Sequence, residues 1–292
     1  MNVVSLLPSG TEIIAALGRS DALVGVSHEC DYPPEVARLP RVTSTAIDHA
    51  ASAATVDASV RAHVADGHPL YTVDWDMVET LAPDLIVTQA LCDVCAVSET
   101  ECRTYAARLT PRPRLATLSA STLDGVLADI ESVADAFGDA VAGAQLTSAL
   151  RSRVAAVHET LATARAPRPR VAVIEWTDPL FIAGHWVPEM IRRAGGHDVV
   201  GVPGSHSTVV TRDAIMAARP DIVLVAPCGY DVHRAEEAAR AMSWDVPMWA
   251  IDANSLLSRP GPRLIDGVEI LAAILHPALF GAPRPDRALP IT

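Results

Sequence analysis

Lysine is missing altogether, so all 23 basic side chains are arginine. That excludes a Schiff-base amine and a phosphate-binding loop built on Gly-Lys-Ser/Thr. Aromatics are scarce, with five Trp, four Tyr and three Phe in 292 residues. The five cysteines, Cys30, Cys92, Cys95, Cys102 and Cys228, are too few and too odd in number for a disulfide scaffold, which fits a reducing compartment. No apolar run approaches the ~18–20 residues that span a bilayer, so no membrane insertion is expected. The start, "MNVVSLLPSG", has neither a basic n-region nor a cleavage site. As written the chain is expected in the cytoplasm, or outside it if translation begins further upstream. The net charge of -12 argues against nucleic acid, whose binding rests on clustered positive charge. There is no G-x-S-x-G elbow, no H-E-x-x-H and no G-x-G-x-x-G. Glu12 and Glu175 are the acids that could meet in a cleft, but nothing compels them into a general acid/base pair. No enzyme is predicted.

What is present is a folded composition, half hydrophobic and one-fifth charged. Short apolar runs alternate with helical patterns. "NVVSLL" (2–7), "ALVGVS" (22–27), "PDLIVTQ" (83–89) and "RLATLS" (114–119) are predicted strands. "SGTEIIAALG" (9–18) is a predicted helix, capped by Ser9 or Thr11 and stopped by Gly18. This alternation implies βαβ units and parallel pairing. The second half repeats the plan with strands "RVAVIEW" (170–176), "DVVGVPG" (198–204), "RPDIVLVAPCG" (219–229) and "MWAID" (248–252). Helices "VPEMIRRAGG" (187–196) and "RLIDGVEILAAIL" (263–275) accompany them. Gly18 and Gly195 lie 177 positions apart but Asp84 and Asp221 only 137, which places an extra segment in the first half, between about 44 and 75.

The sequence therefore predicts an α/β protein of two Rossmann-like lobes, residues 1–120 and 166–280. A long backbone helix over 121–165 joins them, interrupted by few breakers beyond Gly138 and Gly143, and a Pro-rich loose tail follows over 281–292. The ligand is expected in the cleft between the lobes, at the carboxyl ends of the strands.

"SLLPSGTEIIAALG", "VGVSHECDYPPEV", "LAPDLIVTQ", the spanning helix and "SRPGPRLIDGVEIL" together resemble the cobalamin-binding proteins of ABC-type vitamin B12 uptake. These belong to the wider class of iron-siderophore and B12 periplasmic binding proteins with a helical backbone. The resemblance runs over about residues 2–280. It implies a corrinoid clasped between two lobes without chemistry, and an ABC permease as partner. No further cofactor is required. It also implies acidic docking residues at the lobe tips, placed by rough position at Glu99, Glu101 and Asp213. The resembling carriers have a pocket tyrosine in the matching "DYPP", here Tyr32. The extra segment and "CDVC" (92–95) depart from the best-known B12 carriers and look like the mark of a leaderless branch. The alternatives are a metal-chelate carrier, for a ferric siderophore or haem, and a cytoplasmic corrinoid-handling enzyme or metallochaperone that uses the "CDVC" loop.

A large planar ligand needs flat walls. Trp75, Trp176, Trp186 and Tyr230 fall on or beside predicted strand-end loops, as does Phe181, which suits core filling better. His185 and His206, in loops of the second lobe, are candidates for an axial position on cobalt. Cys92 and Cys95 form one C-x-x-C, whereas structural zinc wants four ligands. His28 and Cys30 in "SHEC" are the natural complement: with them the set suits Zn²⁺, and four thiolates, with Cys102 two helical turns on, suit an iron–sulfur cluster. The other readings are an inert packed set, a pocket lip without metal, and a redox pair.

Overall fold

A computed structural model describes residues 1–90, 97 and 99–291. The chain divides into two units, Met1–Ala120 with Asp124–Ser148, and Ser121–Leu123 with Ala149–Thr292.

In the first unit, β1 (Val3–Ser5), β2 (Leu23–Val26), β5 (Leu85–Gln89) and β6 (Arg114–Leu118) form a parallel sheet in the order β2-β1-β5-β6. Its strands are short continuous apolar runs because both faces are covered. Leu85, Ile86 and Val87 are fully buried. Helix α1 (Pro8–Ala16) begins one residue before the expected Ser9 cap, with Leu7 at the N-cap and proline in the first turn. Proline is at home there, since its missing N–H would have no helical partner anyway. The extra segment folds as α2 (Ala53–Ala65) between β3 (Thr43–Thr45) and β4 (Tyr71–Val73), which pair antiparallel with each other. Helix α3 (Trp75–Leu81) follows β4 and leads into β5, and α4 (Glu99–Ala106) precedes β6.

The expected single connecting helix is two helices, α5 (Leu123–Ala136) and α6 (Ala140–Ala164). The break is at Gly138, whose φ of 75° a right-handed helix cannot hold. Gly143 stays inside α6. The residues of α6 up to Ser148 belong to the first unit and those from Ala149 to the second.

The second unit carries β7 (Arg170–Thr177), β8 (Leu180–Ile182), α7 (Val187–Arg193), β9 (His197–Asp198), β10 (Thr208–Val209), α8 (Arg212–Ala217) and β11 (Ile222–Val225). It continues with α9 (Val232–Met242), β12 (Met248–Ile251), α10 (Ala253–Leu256), α11 (Leu264–Leu275), α12 (Pro277–Phe280) and β13 (Ala288–Ile291). Its parallel core β9-β7-β11-β12 repeats the order β2-β1-β5-β6 of the first unit. Antiparallel strands extend it: β8 and β10 on one side, β13 on the other. Arg153 of α6 ties to Asp266 and Glu269 of α11 at 2.6 and 2.5 Å.

Two expectations change here. The strand predicted over 198–204 is only the two residues of β9, because the Asp198 carboxylate accepts from the backbone N–H groups of Val200 and Gly201 and turns the chain out of the sheet. The tail expected to be loose ends in β13, paired with β12 and anchored by Arg287 on Asp252 at 2.7 Å. Pro290 is tolerated because β13 is an edge strand.

His276 follows α11 and is buried, with its Nε2 lacking a hydrogen-bond partner. Burial holds its pKa below the ordinary histidine value, opposed by a hydrogen bond with the backbone of Gly195. A histidine depressed in the folded state takes up its proton more readily when unfolded, so stability falls as pH drops below about 6.5, the unfolded value. Melting temperature recorded from pH 7.5 to 5 is expected to decline below that point. His276→Asn is expected to flatten the decline, and an unchanged slope in the variant would remove His276 from the account.

Candidate functional site

Open parallel α/β sheets present their ligand-binding loops at the carboxyl ends of the strands. In the first unit the loop after β2 is built around Ser27, His28 and Cys30. The Arg41 guanidinium donates to the carbonyls of Ser27 and Cys30 at 3.0 and 2.7 Å, which fixes that loop. Cys30 is buried, its sulfur 3.1 Å from the Thr11 hydroxyl on α1. The Thr43 hydroxyl receives the His28 backbone N–H at 3.0 Å and donates to the Ser27 hydroxyl at 3.0 Å. The His28 Nδ1 lies 2.7 Å from the same Thr43 oxygen. Beside the imidazole stands the Tyr71 ring, centroids 5.8 Å apart, with the Tyr71 hydroxyl donating to Glu29 at 3.4 Å. His49 approaches the Glu29 carboxylate at 3.9 Å. Burial lowers the pKa of His28, and the neighbouring Glu29 opposes it. Tyr32 closes the loop with 44% of its surface exposed.

The other predicted residues of this unit are held differently. Trp75, at the start of α3, stacks on Tyr105 of α4 at 4.6 Å and donates its indole N–H to Glu101 at 3.1 Å. One ring face and the N–H are thus engaged within the helical layer, a packing position rather than an open wall. Glu99 accepts from Arg103 and Thr117, with the Arg103 bond the main cause of its lowered pKa. Cys102 is buried against Thr88, and burial pushes its thiol up to about 11, which makes it an inert packing residue. Cys92 and Cys95 lie outside the described residues. Among the described residues no set of three or more His, Cys, Asp or Glu side chains could hold a metal ion.

In the second unit, Trp176 is the last residue but one of β7; it is half-buried and donates its indole N–H to the Asp178 carbonyl at 3.2 Å. Its ring meets Tyr230, after β11, edge to face at 5.6 Å. Tyr230 is buried, and the Arg234 guanidinium lies 3.8 Å from its ring centre. Trp186 is buried too, its N–H donated to the Leu257 carbonyl at 2.7 Å, so it packs the loop instead of lining a surface. His185 and His206 stand edge to face at 5.2 Å, with His206 exposed and the Nε2 of His185 buried without a partner. Burial, then the neighbouring His206, lowers the pKa of His185. Ser207 donates to Glu175 at 2.6 Å, whereas Glu12 is buried on α1 in the other unit. Phe181, on β8, is paired in register with Trp176. Asp213 is exposed on α8.

The structure thus gathers Trp176 with Tyr230, and His185 with His206 and Trp186. It adds Thr43, and His49 and Tyr71 of the extra segment, none of which the sequence reading singled out. In a chain with four tyrosines, "YTVDW" was the available signal for Tyr71.

Two like α/β units that gather rings and imidazoles on their strand-end loops define a two-lobed solute-binding protein. The chain belongs to the periplasmic binding protein family, whose model matches residues 3–243. It is a non-enzymatic carrier, which sets aside the corrinoid-handling enzyme. The vitamin B12-binding protein of Vibrio cholerae is 24% identical over 94% of this chain and 88% of that protein. Among solved structures, a periplasmic heme-binding protein from Pseudomonas aeruginosa matches with a TM-score of 0.73 at 20% identity, covering 100% of this chain and 98% of the other. The periplasmic vitamin B12-binding protein BtuF of V. cholerae matches with a TM-score of 0.63 at 22% identity, covering 94% and 96%.

Proposed function

We propose that the chain is the substrate-binding component of an ABC-type importer and that its ligand is a corrinoid, taken up unchanged. Likeness to the V. cholerae B12-binding protein over nearly the full length carries this reading. In the first unit exposed Tyr32 follows β2, and in the second half-buried Trp176 lies near the carboxyl end of β7; flat rings of this kind suit a macrocycle. Such a role calls for a location outside the cytoplasmic membrane, the second of the two locations the sequence left open. A permease would meet it through acidic residues, of which Asp213 is exposed while Glu99 and Glu101 are engaged by neighbours.

The second reading is haem, favoured by the His185–His206 pair. The exposed imidazole of His206, beside His185, suits an axial position on iron as well as on cobalt. Absorbance titration of the purified protein with cobalamin and, separately, with haemin tests both. The corrinoid reading predicts saturation at one equivalent of cobalamin, with the released ligand unaltered. Saturation with haemin and none with cobalamin would replace it with the second reading.

A further inference from the structure

The hydrogen bonds around His28 fix which of its nitrogens carries the proton. Thr43 has one hydroxyl proton and two lone pairs. Its proton goes to Ser27, and one lone pair takes the His28 backbone N–H. The 2.7 Å contact with His28 is then a hydrogen bond only if Nδ1 is the donor. Nε2 is left with a bare lone pair, and it is buried without a partner. The Glu29 carboxylate is on the adjacent residue, and the Arg41 guanidinium, held by the carbonyls of Ser27 and Cys30, keeps its positive charge nearby. This corner of the first unit therefore offers a hydrogen-bond acceptor at His28 Nε2.

We propose that His28 Nε2 accepts a hydrogen bond from a carboxamide side arm of the ligand, and that it selects amide-bearing macrocycles over carboxylate-bearing ones. The proposal rests on the corrinoid reading and deepens it. A corrin carries carboxamide arms, whose NH₂ groups donate; haem carries propionates, which at neutral pH only accept. A carboxylate arriving here would set lone pairs against lone pairs, so the same geometry that rewards an amide disfavours an acid. Thr43 and Tyr71 come from β3 and β4, so the segment between β2 and β5 acts as the specificity element, with Thr43 as a positioning residue for the tautomer.

Two measurements test this. In the wild-type protein, nitrogen NMR of the His28 imidazole is expected to show an unprotonated Nε2 that shifts when cobinamide is added. In binding titrations, cobinamide is compared with the fully hydrolysed carboxylic acid of the same ring. Replacing His28→Phe is expected to weaken cobinamide by about threefold to tenfold, the value of one ordinary hydrogen bond, and to leave the acid unchanged or tighter. Thr43→Val is expected to move the ratio in the same direction by less. A protonated Nε2, an Nε2 resonance indifferent to cobinamide, or an unchanged ratio in a folded His28→Phe variant overturns the inference while leaving the corrinoid reading intact. The NMR result decides if the variant fails to fold. If neither ring binds the wild type, the inference and the reading both fail.

Discussion

Ile174→Ala is expected to cost about 4 kcal/mol, within the roughly 2–5 kcal/mol range for removing a large aliphatic side chain from a core. Ile174 is fully buried in the middle of β7, paired with Val225 of β11 on one side and Ile182 of β8 on the other. It packs in the cluster of Ala172, Ile215, Val223, Val225, Ala239 and Met248. A central strand held by ladders on both sides cannot collapse into the void, so the cavity contribution adds to the lost transfer energy. Against a typical total stability of about 5–15 kcal/mol, this is a large fraction. At a urea slope of roughly 2 kcal/mol/M the midpoint drops by about 2 M. Val209→Ala, at an exposed position on β10, is the control, with an expected change below about 0.5 kcal/mol. A loss under about 1 kcal/mol in Ile174→Ala would mean that β7 is not the centre of that sheet. The consequence reaches the site, because the carbonyl of Ile174 receives the Ala226 N–H at the start of the loop that carries Tyr230.

The parallel core was legible because its strands are buried on both faces and so appear as unbroken apolar runs. "DLIVTQ" and "DIVLV" became β5 and β11, each between β1 or β7 and the next strand. What misled was local chemistry that overrides such a run. "DVVGV" is as apolar as a strand, but Asp198 at its head binds two backbone N–H groups and ends β9 after two residues. "GAPRPDRALPIT" looked too proline-rich for a sheet, yet pairing partners decide whether an edge strand forms, and β12 supplies one for β13. The aromatic candidates were chosen by strand-end spacing, but that spacing cannot say which ring is covered. Trp186 and Trp75 both lie where a wall would, and both have their indole N–H groups donated inside the fold. The acceptor corner at His28 was beyond reach, since it depends on a hydroxyl 15 positions away whose one proton is already committed.

Gly267→Ala is expected to destabilise by about 2 kcal/mol, and the sign is the informative part. Gly267 lies inside α11, where helix propensity alone predicts a gain of about 1 kcal/mol on going to alanine. Packing predicts the reverse. A Cβ there would sit 2.4 Å from the Leu256 carbonyl of α10 and 2.7 Å from the Met190 terminal methyl of α7. The methionine end can swing aside, but the carbonyl belongs to backbone that α10 holds in place, so the clash is met by moving a helix. Forced overpacking of this kind costs typically about 1–3 kcal/mol, and the rigid partner puts it at the upper end. Met190→Ala in the same background therefore gives no rescue, and a double-mutant cycle should return a coupling near zero. The displacement would also reach the site. Leu257, one residue past α10, holds the Trp186 indole, and the Trp186 ring lies tilted beside His185 with centroids 5.5 Å apart. A thermal melt of the variant that moves down, together with weaker ligand binding, ties the close approach of α10 and α11 to the loop that bears the imidazoles. A melt that moves up would show that α10 yields freely and that this contact does not position Trp186.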